Sequence, residues 1–441
     1  MSLLIKNATI VTMNSAREVF EGNVAVEKDR IAYVGVETPD ADEVIDASGK
    51  LLIPGLIQTH IHLCQTLFRG QADDLELLDW LKLKIWPLEG SHTPESIYTS
   101  ALLGCGELFK GGTTSIVDMG TVHYTDEVIT AIKETGMRAI VGKAMMDHGD
   151  DVPDALSETT EDSLQESIDL LEKWNGAENG RITYAFTPRF AVSCSDKLLR
   201  EVAKLARQYD VPVHTHASEN RGEIELVQKE RGMRNVVYLD DVRLTDSHLL
   251  LAHCIWLDEQ EMNIIQDKGV HVLHCPSCNL KLSSGIAKIP EMLEKGISVS
   301  IGADGAPCNN NLDMFKEMHL AALIQKPLHG PTVMPARKIF EIATLGGAKA
   351  MGMENQIGSI EVGKKADLAL VSLQGLHCTP TEEVDVYSQL VYQCKSSDVV
   401  MTMVDGRIVM KDRVLTTIEE ETLAKRCNEQ IKKVKKSAGI M

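Results

Sequence analysis

Residues Pro54-Gly55-Leu56-Ile57-Gln58-Thr59 read as an extended apolar run, and that run ends in His60-Ile61-His62. Side chains alternate faces along a strand, so His60 and His62 point the same way and can grip one metal ion together. Two later runs end alike. Val211-Pro212-Val213 leads into His214-Thr215-His216, and Ile297-Ser298-Val299-Ser300-Ile301 leads through Gly302-Ala303 to Asp304. Zn²⁺ takes imidazole nitrogen and carboxylate oxygen, and a catalytic zinc site keeps one position open for water. The set His60, His62, His216 and Asp304 fits that requirement. Alternation places His214 on the same face as His216, so periodicity leaves open which of the two is the ligand and which packs beside it.

Strand-like runs recur at about 52 to 60, 113 to 119, 138 to 146, 182 to 187, 211 to 216, 248 to 253, 270 to 274 and 297 to 304. Helical segments such as Asp126 to Glu134, Leu198 to Arg207 and Asp258 to Gln266 alternate with them, the texture of parallel βα units. Eight such units predict an α/β fold built on a (β/α)₈ TIM-type barrel. In that barrel functional groups sit at the C-terminal ends of strands, where His60, His62, His216, His253 and Asp304 all fall. Residues 1–53 instead carry short β-rich runs with turns between them, and a similar texture returns after about 360. The expected organisation is a barrel over 54–360 with a small β-sandwich assembled from 1–53 and 361–441, the latter ending in a charged surface helix.

A chain of 441 residues with a formal charge of -19 offers no basic stripe for nucleic acid or an anionic membrane. No apolar stretch reaches the roughly 18 residues of a membrane helix, and the first residues lack a signal-peptide layout, so the expected location is cytoplasmic. Ten cysteines without a small-scaffold spacing fit reduced thiols there. Cys275-Pro276-Ser277-Cys278 lacks a second pair for a structural zinc site, and it misses the order of the cytidine-type zinc deaminases because His274 precedes Cys275. Gly111-Gly112-Thr113-Thr114 has no Walker lysine and reads as a turn into a strand.

Three residues stand where proton transfer needs them. Asp304 could ligate a metal and take a proton from water, whose pKa a bound metal lowers. Glu219 follows His216 by three residues, just past a strand end, and could act as a proton shuttle. His253 ends the sixth strand in Leu249-Leu250-Leu251-Ala252-His253-Cys254 and could polarise the water or the leaving group.

Thr59-His60-Ile61-His62, His216-Ala217-Ser218-Glu219, Ala252-His253-Cys254, Asn279 to Gly285 and Gly302-Ala303-Asp304-Gly305-Ala306 together resemble the amidohydrolase superfamily, in its single-metal deaminase and chlorohydrolase branch. The resemblance spans Ile53 to Leu368. It implies one divalent ion, Zn²⁺ or Fe²⁺, on His60, His62, His216 and Asp304, with Glu219, His253 and Asp304 handling protons. The implied reaction is hydrolytic deamination: water attacks a ring carbon that bears an amino group, Glu219 protonates the adjacent ring nitrogen, and ammonia leaves. Trp80, Glu89 and the 302–310 loop are similar to the methylthioadenosine and S-adenosylhomocysteine deaminases, which implies a 5′-modified adenosine of that or the 5′-deoxyadenosine type. Thr187-Pro188-Arg189-Phe190 departs from those enzymes, which usually carry a histidine there, as do Lys143 in place of arginine and Cys308 in place of serine. Gln65 and Arg189-Phe190 instead resemble guanine deaminase. The implied substrate contacts are Gln65, Trp80, Glu89, Lys143, Arg189, Glu219 and Cys308. An s-triazine hydrolase and a non-catalytic barrel are the further readings, and a homo-oligomer is the expected assembly.

Overall fold

The computed structural model describes residues 2–149 and 151–440. Five strands come first: β1 (Ser2–Val11), β2 (Val19–Glu27), β3 (Arg30–Gly35), β4 (Glu43–Asp46) and β5 (Lys50–Pro54). The barrel follows with β6 (Leu56–His62), β7 (Thr113–Met119), β8 (Arg138–Gly142), β9 (Ala144–Met145), β10 (Ile182–Tyr184), β11 (Thr187–Pro188), β12 (Val213–Ala217), β13 (Leu249–His253), β14 (His271–His274), β15 (Ser298–Ile301) and β16 (Asp304–Gly305). The chain then returns to β17 (Leu368–Ser372), β18 (Val399–Val404), β19 (Arg407–Lys411) and β20 (Val414–Leu415).

Nine of these strands form one sheet, in the order β20-β19-β18-β17-β5-β1-β2-β3 with β4 beside β1. Two separate sheets were expected for a sandwich; one continuous sheet curls on itself instead. Its curl is visible in the backbone, because Ile31 N donates to Lys364 O and Ala366 N donates to Asp29 O, joining β3 to the approach to β17. Side chains on the inner faces, among them Ile10, Val24, Ile31, Leu370 and Met403, merge into one buried cluster. A sheet folded back in this way buries its apolar face without a second sheet, while β20 stays at an open edge.

The barrel strands run parallel, β10-β8-β7-β6-β16 on one side and β12-β13-β14-β15 on the other, with β9 against β11. Bridges Phe186 to Val213 and Phe190 to His216 close one gap, and the parallel pairing of Asp304 with Ile61 and Gly305 with His62 closes the other. The strand expected over 297–304 breaks at Gly302-Ala303, and those over 138–146 and 182–187 break likewise. Close approach is the cause at Gly302, where a Cβ would lie 2.6 Å from His60 O, and at Gly142, where it would lie 2.1 Å from Ala185 O. Each break turns the last residues of a strand toward the mouth.

Helices cover the barrel from outside. Residues Glu259–Lys268 show how one is delimited: Asp258 accepts from Glu261 N, Glu261 answers the Asp258 backbone, and Gly269 at φ +66° ends the helix. The charged helix Glu420–Ser437 is amphipathic, burying Leu423, Cys427 and Val434. No helix among the described residues is long and apolar enough to cross a membrane.

Candidate active site

His60 and His62 share the inward face of β6, as alternation requires, and both are buried. Their Nε2 atoms lie 3.4 and 3.3 Å from Asp304 Oδ1. His216 Nε2 stands 3.3 Å from His62 Nε2. His214 and His216 are resolved by depth: His214 Nε2 lies 2.8 Å from His60 Nδ1, so it sits behind His60 and takes no part in the convergence. The mouth therefore brings His60, His62, His216 and Asp304 together, and depth makes the choice between His214 and His216 that periodicity left open.

Ring orientation decides what this cluster can hold. His62 Nδ1 donates to Met119 O at 2.8 Å, and His216 Nδ1 donates to Arg189 O at 2.6 Å. In neutral rings both Nε2 atoms then present lone pairs to each other, a repulsive contact that an electrophile between them converts to attraction. His60 Nε2 and His253 Nε2 are buried without a hydrogen-bond partner. The ligand atoms of His60, His62 and Asp304 lie within 4.8 Å of one another, as do those of His60, His216 and His253, and such a gathering of imidazole and carboxylate around orphaned acceptors fits a divalent cation.

Proton-carrying groups border that cluster. His253 Nδ1 donates to Asn279 Oδ1 at 2.9 Å, which turns Nε2 toward Glu219 Oε2 at 3.4 Å and Asp304 Oδ2 at 3.8 Å. Burial, helped by the negative charges of Asp304 and Glu223, raises the Glu219 carboxyl to about 7. Burial also opposes ionisation of Asp304, but His60, His62 and His253 overcome it and hold that carboxyl well below its ordinary value. Burial, opposed by Asp304 and aided by His62 and His253, pulls His60 down to about 4, which keeps its ring neutral and its lone pair available. Ser218, His253 and Asp304 all take left-handed backbone conformations, at φ +54°, +72° and +64°. Strain of this kind in non-glycine residues costs about 1–3 kcal/mol each and gathers where function fixes geometry.

Above the cluster lies a narrow cleft lined by Leu77, Trp80, Leu81, Phe190 and Leu282 as well as His62, His216, Glu219, His253 and Asp304. Gln65 and Arg189 supply its remaining polar wall. Arg189 is fixed from behind by Glu89, with Nη1 to Oε2 at 2.6 Å and Nη2 to Oε1 at 3.2 Å, while Gln65 Nε2 donates to Glu89 Oε1 at 2.7 Å.

Three expected substrate contacts fall elsewhere. Glu89 lies behind Arg189 and Gln65 and lines no part of the cleft, because its buried charge is spent on the guanidinium. Lys143 Nζ pairs with Glu158 and, at 3.2 Å, with Glu166, since a buried ammonium needs countercharge. Cys308 donates its thiol to Gly305 O at 2.7 Å and is likewise off the cleft wall. Conversely, Asn279, the carbonyls of Met119 and Arg189, and the apolar wall of Leu77, Leu81 and Leu282 carried no assignment. Backbone acceptors leave no mark in side-chain identity, and an isolated leucine reads as core.

Fold and donor set together define a metal-dependent barrel hydrolase. The profile of the Amidohydrolase family matches residues 51–409, and the chain belongs to that family. It is 40% identical over 422 residues to a 5′-deoxyadenosine deaminase of Methanosarcina mazei, covering 95% of each chain. Identity is also 40% over 429 residues to a 5-methylthioadenosine/S-adenosylhomocysteine deaminase of Desulforudis audaxviator, with 96% of each covered. A crystal structure of an adenosine deaminase from Xanthomonas campestris with bound zinc superposes with a TM-score of 0.92 at 31% identity, covering 98% of both chains.

Proposed function

We propose that this protein is a hydrolytic deaminase of an amino-substituted purine, with a 5′-modified adenosine as substrate and ammonia as product. One observation carries the reading: the Nε2 atoms of His60, His62 and His216 and the Asp304 carboxylate meet beside Glu219 and His253 at the base of an apolar cleft. The two relatives at 40% identity support the substrate class. We take residues 54–360 as the catalytic unit and 1–53 with 361–441 as its support.

His60, His62, His216 and Asp304 would hold a divalent ion, assigned as Zn²⁺, which would supply a Lewis acid that lowers the pKa of water toward neutrality. The protein's own groups do the rest. Glu219, poised near 7, carries a proton to the ring nitrogen beside the carbon that bears the amino group. His253, aimed by Asn279, steadies the attacking water together with Asp304. Leu77, Trp80, Leu81 and Phe190 clasp the flat ring and exclude bulk water. Trp80 Nε1 is buried without a partner and is free to donate to the substrate.

A second reading has its own support. Gln65 Oε1 is an unpartnered buried acceptor next to the Arg189 donors, a pairing that matches the amide edge of guanine. Ammonia release by metal-replete protein on 5′-deoxyadenosine, methylthioadenosine, S-adenosylhomocysteine, adenosine, guanine and melamine separates them. The highest kcat/KM is expected on a 5′-modified adenosine. Guanine ahead of all others would install the second reading, melamine would install a triazine hydrolase, and silence with metal bound would sink deamination altogether.

A further inference from the structure

Far from the mouth in sequence, the connection after β17 brings together donors that deamination does not use. His377 and Cys378 lie on the short helix Leu376–Cys378, Cys394 follows the helical turn Gln389–Gln393, and Asp398 closes the turn Ser396–Asp398. The ligand atoms of His377, Cys378 and Asp398 all lie within 4.8 Å of one another, with His377 Nε2 at 2.8 Å from Asp398 Oδ2. Cys394, also buried, neighbours Cys378 but stands outside that 4.8 Å group.

A plain ion pair would account for the histidine and the carboxylate and leave both sulfurs unexplained. Asp398 Oδ2 also accepts from Lys395 N at 2.8 Å, and Oδ1 accepts no hydrogen bond among the described residues. Exposure is graded in the way an ion needs: Cys378 is fully buried and Cys394 is 6% exposed, whereas the His377 side chain is 34% exposed and gives access from solvent. Metal–ligand bonds of about 2.0–2.3 Å set tetrahedral edges of roughly 3.3–3.8 Å, so His377, Cys378 and Asp398 need to close by about an ångström and Cys394 has to move in further to complete the set. Side-chain rotation supplies that.

We propose that His377, Cys378, Cys394 and Asp398 form a second cation site, closed and structural, for a thiophilic divalent ion of the Zn²⁺ class. Four protein ligands leave no open position for water, which separates it from the site at the mouth. Binding displaces one proton from each thiol to solvent, and no group changes oxidation state. The ion clamps three turns of the connection between β17 and β18, adjacent to the start of β18 at Val399.

The test is to strip the protein of metal and refill it with Co²⁺. Two ions per chain are expected, with a near-ultraviolet thiolate-to-cobalt charge-transfer band, because the ligands assigned at the mouth are nitrogen and oxygen only. In Cys378→Ser/Cys394→Ser the count should fall to one and the band should vanish. His377→Ala, at a position 34% exposed, should weaken the second ion roughly tenfold or more and shift the band. One ion per chain without a band, a band that survives the double substitution, or loss of two titratable thiols as a disulfide in the metal-free protein would each overturn the site. None of these readouts depends on which substrate the mouth takes.

Discussion

At the floor of the barrel Arg138, the first residue of β8, donates Nε to Asp367 Oδ2 at 2.7 Å and Nη2 to Asp367 Oδ1 and Asp405 Oδ1 at 3.0 Å. Lys365 Nζ adds a contact to Asp405 at 2.9 Å, and Asp405 N donates to Asp367 Oδ1 at 2.7 Å. At the mouth, by contrast, buried charge is gathered with acceptors left over: His60 Nε2, His253 Nε2 and Gln65 Oε1 have no partner. Both ends are buried and both are ionic. The floor satisfies its carboxylates internally and joins barrel to sheet, whereas the mouth keeps donor atoms in reserve for an ion and a substrate. The floor has one loose end of its own, Arg138 Nη1, but its carboxylates are engaged, whereas at the mouth the unpartnered atoms converge.

The largest effect that follows is at Asp304. Asp304→Asn removes the one charge among the assigned ligands, and ammonia release should fall by about 10⁴-fold, near 5 kcal/mol of barrier, with metal content reduced. Thermal unfolding should change little, and a collapse of Tm would make the mouth a structural centre like the floor. Glu219→Gln comes next: metal content measured by elemental analysis should be kept while turnover drops roughly 10³-fold. An unchanged rate would remove Glu219 from proton transfer. Arg138→Met tests the other end. It strands two carboxylates, and urea unfolding should show a loss of roughly 3 kcal/mol or more, while kcat of the folded fraction stays near that of the parent. A selective loss of kcat instead would erase the distinction between the two ends.

The smallest effect concerns Glu317, which accepts from Ser277 N at 3.0 Å and whose carboxyl burial raises to about 8. A folded-state value above the unfolded 4.5 means the native protein holds this proton more tightly. Its contribution is complete below about pH 4.5 and is lost as pH rises toward 8, with a slope of at most ~1.4 kcal/mol per pH unit. Glu317→Gln should flatten that part of the urea-midpoint profile between pH 5 and pH 8, and an identical profile would show that Glu317 is ionised throughout.

Much of the mouth is legible in the chain. Period-two alternation puts His60 beside His62, and apolar runs that stop at His216, His253 and Asp304 mark strand ends at one face. Lys143 and Cys308 were misplaced on the cleft because position along a strand says nothing about which neighbour neutralises a side chain. Glu158, fifteen residues after Lys143 in the chain, claims that ammonium. The sandwich was half legible: its strands follow from their composition, but whether they make two sheets or one curled sheet depends on pairings between β3 and residues 363–366, more than three hundred positions apart.

The amino-acid order alone settled which residue types end the strands, where the eight barrel runs lie and which faces their side chains share, because those properties are local and repeat every two residues. Only tertiary structure decided which nitrogen of each histidine looks inward, that His214 stands behind His60, and that Arg189 rather than Glu89 faces the cleft. Those choices are made by Met119 O, Arg189 O and Glu89, groups brought next to the site when the barrel closes. A hydrogen bond between residues far apart in the chain has no local cause, and closure of the ring of strands is what creates it.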